Sequence, residues 1–199
     1  MNPDFARSVA GALVLWLPIG SLGILGLARA SAGEPTASAW VAKRAVRTGT
    51  VRVLATPDEA LPLFTPIGEK AWSPGWDPRM VYPGGDAGPE PDQVFTVSHP
   101  HGGEAVWVVD AFDPRAHRVE YLYVLPEHVV CRIRVHCDPD GPHATRATVT
   151  YTMTGLSDAG NRIVEDLTAD AFARRMAHWE DLIAHRTASE SAPSRVAAP

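Results

Sequence analysis

From Glu104 to Gly155 the chain repeats one constraint in four successive segments. In each, the charged or hydroxyl residues fall on one parity and the bulky apolar residues on the other. In a β-strand i and i+2 share a face, so the charges set the phase. Glu104 and Asp110 point outward with Val106 and Val108, which leaves Ala105, Trp107 and Val109 inside. Arg118 and Glu120 place Val119, Tyr121 and Tyr123 inside, and Leu122 and Val124 on the outer face. Arg132, Arg134 and His136 are outer and Cys131, Ile133 and Val135 inner, while Thr148, Thr150 and Thr152 oppose Val149, Tyr151 and Met153. Four strands in one phase, joined by short Pro-, Gly- and Asp-rich turns, describe an antiparallel meander with one face buried.

The rest of the domain follows from local signals. Strands are expected over Ala45 to Leu54, Arg79 to Tyr82, Gln93 to Ser98, Ala105 to Asp110, Arg118 to Leu125, His128 to Asp138 and Ala144 to Gly155, with Gly49 marking a bulge or a close approach. After the first strand, Thr56-Pro57-Asp58-Glu59 supplies a cap, a proline at the first helical position and acids for the exposed amides. That predicts a short helix to about Phe64. Thr65-Pro66 restarts a second through Trp72, and Ser73-Pro74-Gly75 stops it. One long helix is expected from Ser157 or Asp158 to about His185, with Phe172, Met176, Trp179 and Ile183 at helical spacing and Arg174, Arg175, Asp181 and Arg186 opposite. Residues 187–199 lose periodicity and read as a disordered tail.

Composition removes some function classes. A chain of 199 residues with 45% hydrophobic content supports one sizeable core. With 18 Lys+Arg against 23 Asp+Glu and no basic stripe, nucleic acid is not an expected partner. Residues 8–28 are uncharged, bracketed by Arg7 and Arg29, and long enough to meet a membrane, followed by small residues at the spacing a signal peptidase reads. Residues 1–32 are therefore read as a leader: a cleaved export signal, a retained anchor, or the product of a misassigned start codon in a cytoplasmic protein. Residues 33–44 read as a linker and 45–186 as the domain. Cys131 and Cys137 lie on one strand about 20 Å apart, too far to pair, and behave as small buried hydrophobes. These patterns carry no signal for oligomeric state.

An inner face with Trp107, Tyr121, Tyr123 and Tyr151 is costly as plain core, because each indole N–H or phenol needs a partner once buried. Amphipathic rings suit a cavity wall, although the same rings also fill the space under a helix. The order strand, two short helices, six strands, long C-terminal helix resembles the helix-grip fold of the START-like (SRPBCC) superfamily. So do the strings FTPIGEKAWSPGWDP from Phe64, WVVDAFDP from Trp107 and YTMTGLSDAGN from Tyr151. The resemblance implies an α+β fold, with a curved seven-stranded antiparallel sheet wrapped around the C-terminal helix and a hydrophobic pocket between them. The expected lining is Trp72, Trp107, Tyr121, Tyr123, Tyr151, Met153, Met176 and Trp179. The expected partner is a small lipid-, polyketide- or aromatic-like molecule. The alternatives are a polyketide cyclase or aromatase acting on such a ligand, and a membrane-tethered interaction domain.

Signals for chemistry are sparse. Glu69, beside Trp72, is the candidate general acid if burial raises its pKa, and Tyr121 and Tyr151 can donate to a developing enolate or simply orient a ligand. His99 and His101 sit two apart, a spacing open to a metal, but Gly102-Gly103 make a hairpin turn the simpler reading. The serines lack a nucleophile-elbow frame and the glycine pairs lack a following helix start and lysine. No catalytic set, metal or cofactor is assigned.

Overall fold

The computed structural model describes residues 39–85, 88–99 and 103–191. Its centre is one antiparallel sheet of seven strands in the order β1-β7-β6-β5-β4-β3-β2. The strands are β1 (Arg44–Val53), β2 (Arg79–Tyr82), β3 (Val94–Ser98), β4 (Glu104–Asp113), β5 (Arg118–Leu125), β6 (Val129–Pro139) and β7 (Thr145–Gly155). Consecutive strands from β2 to β7 pair as a meander, and β1 returns to pair with β7, so β1 and β2 form the two edges.

The phase read from the charges holds through β4 to β7. Val119, Tyr121, Tyr123 and Leu125 are buried on β5, Cys131, Ile133, Val135 and Cys137 on β6, and Ala147, Val149, Tyr151 and Met153 on β7. Register lines these up across the sheet: Val109 faces Tyr121, Tyr121 faces Ile133, and Ile133 faces Tyr151. Leu122 and Val124 are on the outer face and half-buried. Beside them Arg132 pairs with Asp110 and Arg134 with Glu120, which keeps that face charged. Strand β4 runs three residues beyond Asp110 because a register shift between Val109 and Ala111 lets the chain continue against β5.

Helix α1 (Pro57–Ala60), a 3-10 turn (Leu61–Phe64) and α2 (Pro66–Glu69) follow β1. Thr56, the expected cap, forms a capping box with Glu59 at α1. The second helix ends at Glu69, short of the expected Trp72, and the backbone continues as turns in which Trp72 and Ser73 donate to the Glu69 carbonyl.

The C-terminal segment departs from one long helix. It is α3 (Asp158–Asp166) and α4 (Ala169–Ser191), broken at Leu167, whose φ of -77° and ψ of 58° leave the helical region. The break is built in: Leu167 is buried, and Thr168 restarts the helix by accepting from the Ala171 amide at 3.1 Å. At the other end α4 runs to Ser191, five residues into the segment read as tail, with the Thr187 hydroxyl bonded to the carbonyls of Ile183 and Ala184.

The expected linker is also partly structured. Lys43 donates its amide to Asn161 Oδ1 at 2.7 Å, Asn161 donates to the Val41 carbonyl, and Trp40 bonds Asp158. The expected leader (residues 1–32), His101 and residues 192–199 lie outside the described residues. Among the described residues no helix is long and apolar enough to cross a membrane.

Helix α4 crosses the inner face at β1. A Cβ on Gly49 would lie 2.7 Å from Met176 Cγ and 3.3 Å from Phe172 Cε1, so glycine is what lets the helix approach the strand. The edge of β1 is blunted by Glu180, which accepts the Arg52 amide at 2.7 Å.

Candidate functional site

The site begins with a short helix held in one place. Thr65 Oγ1 donates to the Pro62 carbonyl and accepts from the Gly68 amide, and Pro66 presets the first helical φ. A Cβ on Gly68 would stand 1.9 Å from the Pro62 oxygen, so this turn can only be as tight as it is with glycine. The next residue, Glu69, is thereby fixed facing the sheet.

Glu69 lines a cavity of about 90 Å³ together with Ser73, Trp76, Trp107, Tyr121, Ile133, Val135, Tyr151 and Trp179. It is half-buried, as a wall residue is. Burial alone pushes its carboxyl up to about 8. Among the described residues none donates a hydrogen bond to this carboxyl and none forms an ion pair with it. It therefore holds its proton at neutral pH and becomes a buried anion only above about 8.

The rings around it differ in how their polar atoms are used. Tyr121 donates to the Phe64 carbonyl at 2.8 Å, and Trp76 to the Pro66 carbonyl at 2.8 Å. Trp107 stacks on Tyr123 at 4.5 Å between ring centres and meets Trp76 edge-on at 5.3 Å, and its indole N–H is buried without a partner. Burial raises the Tyr121 phenol well above its usual range and Glu69 raises it further. Burial also raises Tyr151, opposed by Arg175 and reinforced by Cys131 and Glu69. Both phenols keep their protons at any physiological pH.

The eight residues expected to line one pocket separate into four settings. Trp107, Tyr121, Tyr151 and Trp179 line the Glu69 cavity. Tyr123 and Met153 line a neighbouring cleft of about 140 Å³ with Asp166 and Arg175. Trp72 is core: it donates to the Leu63 carbonyl at 2.7 Å and meets Trp179 edge-on at 5.5 Å. Met176 packs on Gly49 and borders an open groove of about 440 Å³ along β1. That groove is larger than the Glu69 cavity, yet it is a surface cleft flanked by Arg47, Glu180 and Asp181, and its buried Arg47 Nε belongs to a guanidinium already bonded to the Val46 carbonyl. Arg175, expected to point away, instead lies with its guanidinium 5.7 Å from the centre of the Tyr151 ring.

Besides Glu69, four wall positions are outside the expected lining: Ser73, Trp76, Ile133 and Val135. Ile133 and Val135 were placed on the inner face by strand phase but not marked as wall residues. Trp76 follows the Pro-Gly stop, where no periodicity assigns a face; its signal was the need of a tryptophan N–H for a partner. Ser73 and Trp76, with Trp107, also wall an outer chamber of about 200 Å³ lined further by Pro74, Val97, His99 and Ala105. Cys131 and Cys137 are buried free thiols pushed up to about 12 by burial, which makes them poor nucleophiles.

No family model and no curated protein matches this chain. Solved structures do. Norcoclaurine synthase from Thalictrum flavum in complex with dopamine and hydroxybenzaldehyde aligns over 72% of this chain and 88% of its own, at 16% identity and a TM-score of 0.52. A point mutant of that enzyme with a transition-state analogue gives 17% identity, 76% and 99% coverage and a TM-score of 0.55. Ara h 8.0201 gives 10% identity, 73% and 99% coverage and a TM-score of 0.51. The chain has the helix-grip fold. At these identities the likeness is one of fold alone, so what a helix-grip protein does here rests on its own cavity.

Proposed function

We propose that this helix-grip protein binds and carries a small apolar or aromatic organic molecule in the chamber between the sheet and α4 and the adjoining one between β3, β4 and the turn at residues 73–76. The observation that carries the reading is the Glu69 cavity: its walls are mostly aromatic, and its carboxyl has no partner among the described residues. Tyr121 and Trp76 already use their polar atoms on backbone carbonyls, so they serve as scaffold for the wall. At about 90 Å³ the inner chamber holds a fragment of a ligand, and the adjoining chamber of about 200 Å³ takes the rest. Norcoclaurine synthase captured with dopamine and hydroxybenzaldehyde supports the view that this fold accommodates small aromatic molecules. Residues 8–28 would deliver the carrier to a membrane or across it.

A second reading follows from the same carboxyl. A group pushed up to about 8 is suited to acid–base work near neutral pH, which favours an enzyme acting on the bound molecule. Native mass spectrometry of protein purified from its own host separates these readings from a filled core: a retained organic adduct is expected. Absence of any adduct, together with a crystal structure in which side chains close both chambers, would sink the ligand reading. Turnover of the identified adduct that disappears in Glu69→Gln while binding persists would favour the enzyme.

A further inference from the structure

Glu69 places a carboxyl in a chamber whose lining includes no lysine, arginine or histidine. An anion buried without a counter-charge is strongly disfavoured, and no cationic side chain lines this chamber among the described residues. The remaining walls are mostly rings. Trp76 and Trp107 stand 5.3 Å apart at 88°, and Trp107 and Tyr121 6.1 Å apart at 75°, so these planes are turned across one another. Ring faces carry partial negative charge and attract cations most strongly where water is excluded. A ligand with no polar group would leave the carboxyl unused, and the ionised carboxyl would repel an anion.

We propose that the ligand is an organic cation, with an alkylammonium or quaternary ammonium head held by Glu69 and the rings of Trp76, Tyr121 and Trp179, since Trp107 is stacked between Phe95 and Tyr123 and Arg175 lies over Tyr151. This rests on the cavity being the ligand site, as proposed above. The inner chamber of about 90 Å³ suits a head group, being about three times the ~30 Å³ share of one water. The outer chamber shares Ser73, Trp76 and Trp107 with it and receives the uncharged body of the ligand.

Cation binding should strengthen with rising pH, because burial pushes Glu69 up to about 8 and only the ionised form supplies the counter-charge. The titratable groups facing Glu69 do not change over that range. Tyr121 from β5 and Tyr151 from β7 keep their protons, and Trp179 from α4 carries no charge. Arg175 from α4 lies over Tyr151, and His99 borders only the outer chamber and the adjacent cleft.

The test compares choline with its neutral isostere 3,3-dimethylbutan-1-ol on the full chain, by calorimetry at pH 6 and pH 9, with a neutral solvatochromic dye reporting cavity occupancy. Choline is expected to bind at least about tenfold tighter than the alcohol at pH 9. That preference should shrink at pH 6, be lost in Glu69→Gln, and be partly kept in Glu69→Asp. Equal binding of the two compounds at pH 9, or an unchanged preference in Glu69→Gln, overturns the cation assignment. Dye uptake that choline does not displace overturns it too, while leaving the ligand site standing. Failure of dye, choline and alcohol alike removes both.

Discussion

Helix α4 meets the sheet in two ways within a few residues. On the β1 side, Phe172 and Met176 close onto Gly49, with Val51 and Ile183 also buried, and the buried Arg47 Nε there belongs to a guanidinium that already donates from Nη1 to the Val46 carbonyl. At the next turn Trp179 faces the Glu69 cavity, where the half-buried Glu69 carboxyl and the fully buried Trp107 indole N–H have no hydrogen-bond partner among the described residues. The first region shows what this chain does when it builds core. The second is therefore not a failure of packing, since Tyr121, Trp72 and Trp76 nearby all find backbone carbonyls. Unsatisfied groups kept among satisfied ones are the mark of a site left open for something else.

The contrast can be broken most forcefully on the packed side. Phe172→Ala should cost about 3–5 kcal/mol in urea unfolding, as for other fully buried aromatics, because the residue is 2% exposed and lies against the strand. On the open side, Glu69→Gln should stabilise the protein at alkaline pH. Unfolded Glu69 loses its proton near 4.5, but the folded form holds it to about 8. The parent should therefore lose stability as pH rises between those values, by at most about 1.4 kcal/mol per unit, and level off above them. Glutamine has no such slope. The variant should thus exceed the parent by about 2–4 kcal/mol at pH 9 and match it at pH 4, read by denaturant midpoints across pH. Equal slopes would mean the carboxyl is solvated.

Smaller effects sharpen the comparison. Tyr121→Phe frees the Phe64 carbonyl and should cost about 1–2 kcal/mol in the same assay, with ligand binding weakened less than by Glu69→Gln. Val135→Leu adds a methylene to the cavity wall and should change stability by less than about 1.5 kcal/mol, while reducing uptake of the dye several-fold. A core residue of the β1 side has no equivalent substitution, because a Cβ on Gly49 already meets Met176 Cγ at 2.7 Å.

Much of the fold was legible in the sequence because alternation is a strong signal. One phase fixed by Glu104, Arg118, Arg132 and Thr148 puts the correct residues inward on four strands. The break at Leu167 was hidden because an apolar residue followed by threonine fits helical spacing, and only the Thr168 bond to the Ala171 amide marks the restart. The site was half legible. Strand phase and helical spacing name Trp107, Tyr121, Tyr151 and Trp179, but they cannot separate a ring on a cavity wall from one stacked in core, as with Trp72 and Met176. Trp76 lies in a loop, where no period assigns a face, and its place depends on the bond to the Pro66 carbonyl. That Glu69 has no partner is a property of the whole surround and appears only when the surround is assembled.

The direct measurement is the ionisation of Glu69 itself, followed through its carboxyl carbon by NMR in the folded chain from pH 3 to pH 10, with Glu69→Gln to assign the signal. A midpoint near 8 is expected for a carboxyl enclosed by rings with no counter-charge, and added choline should lower it. A midpoint near 4.5 would place the carboxyl in solvent and contradict a ligand site organised around it.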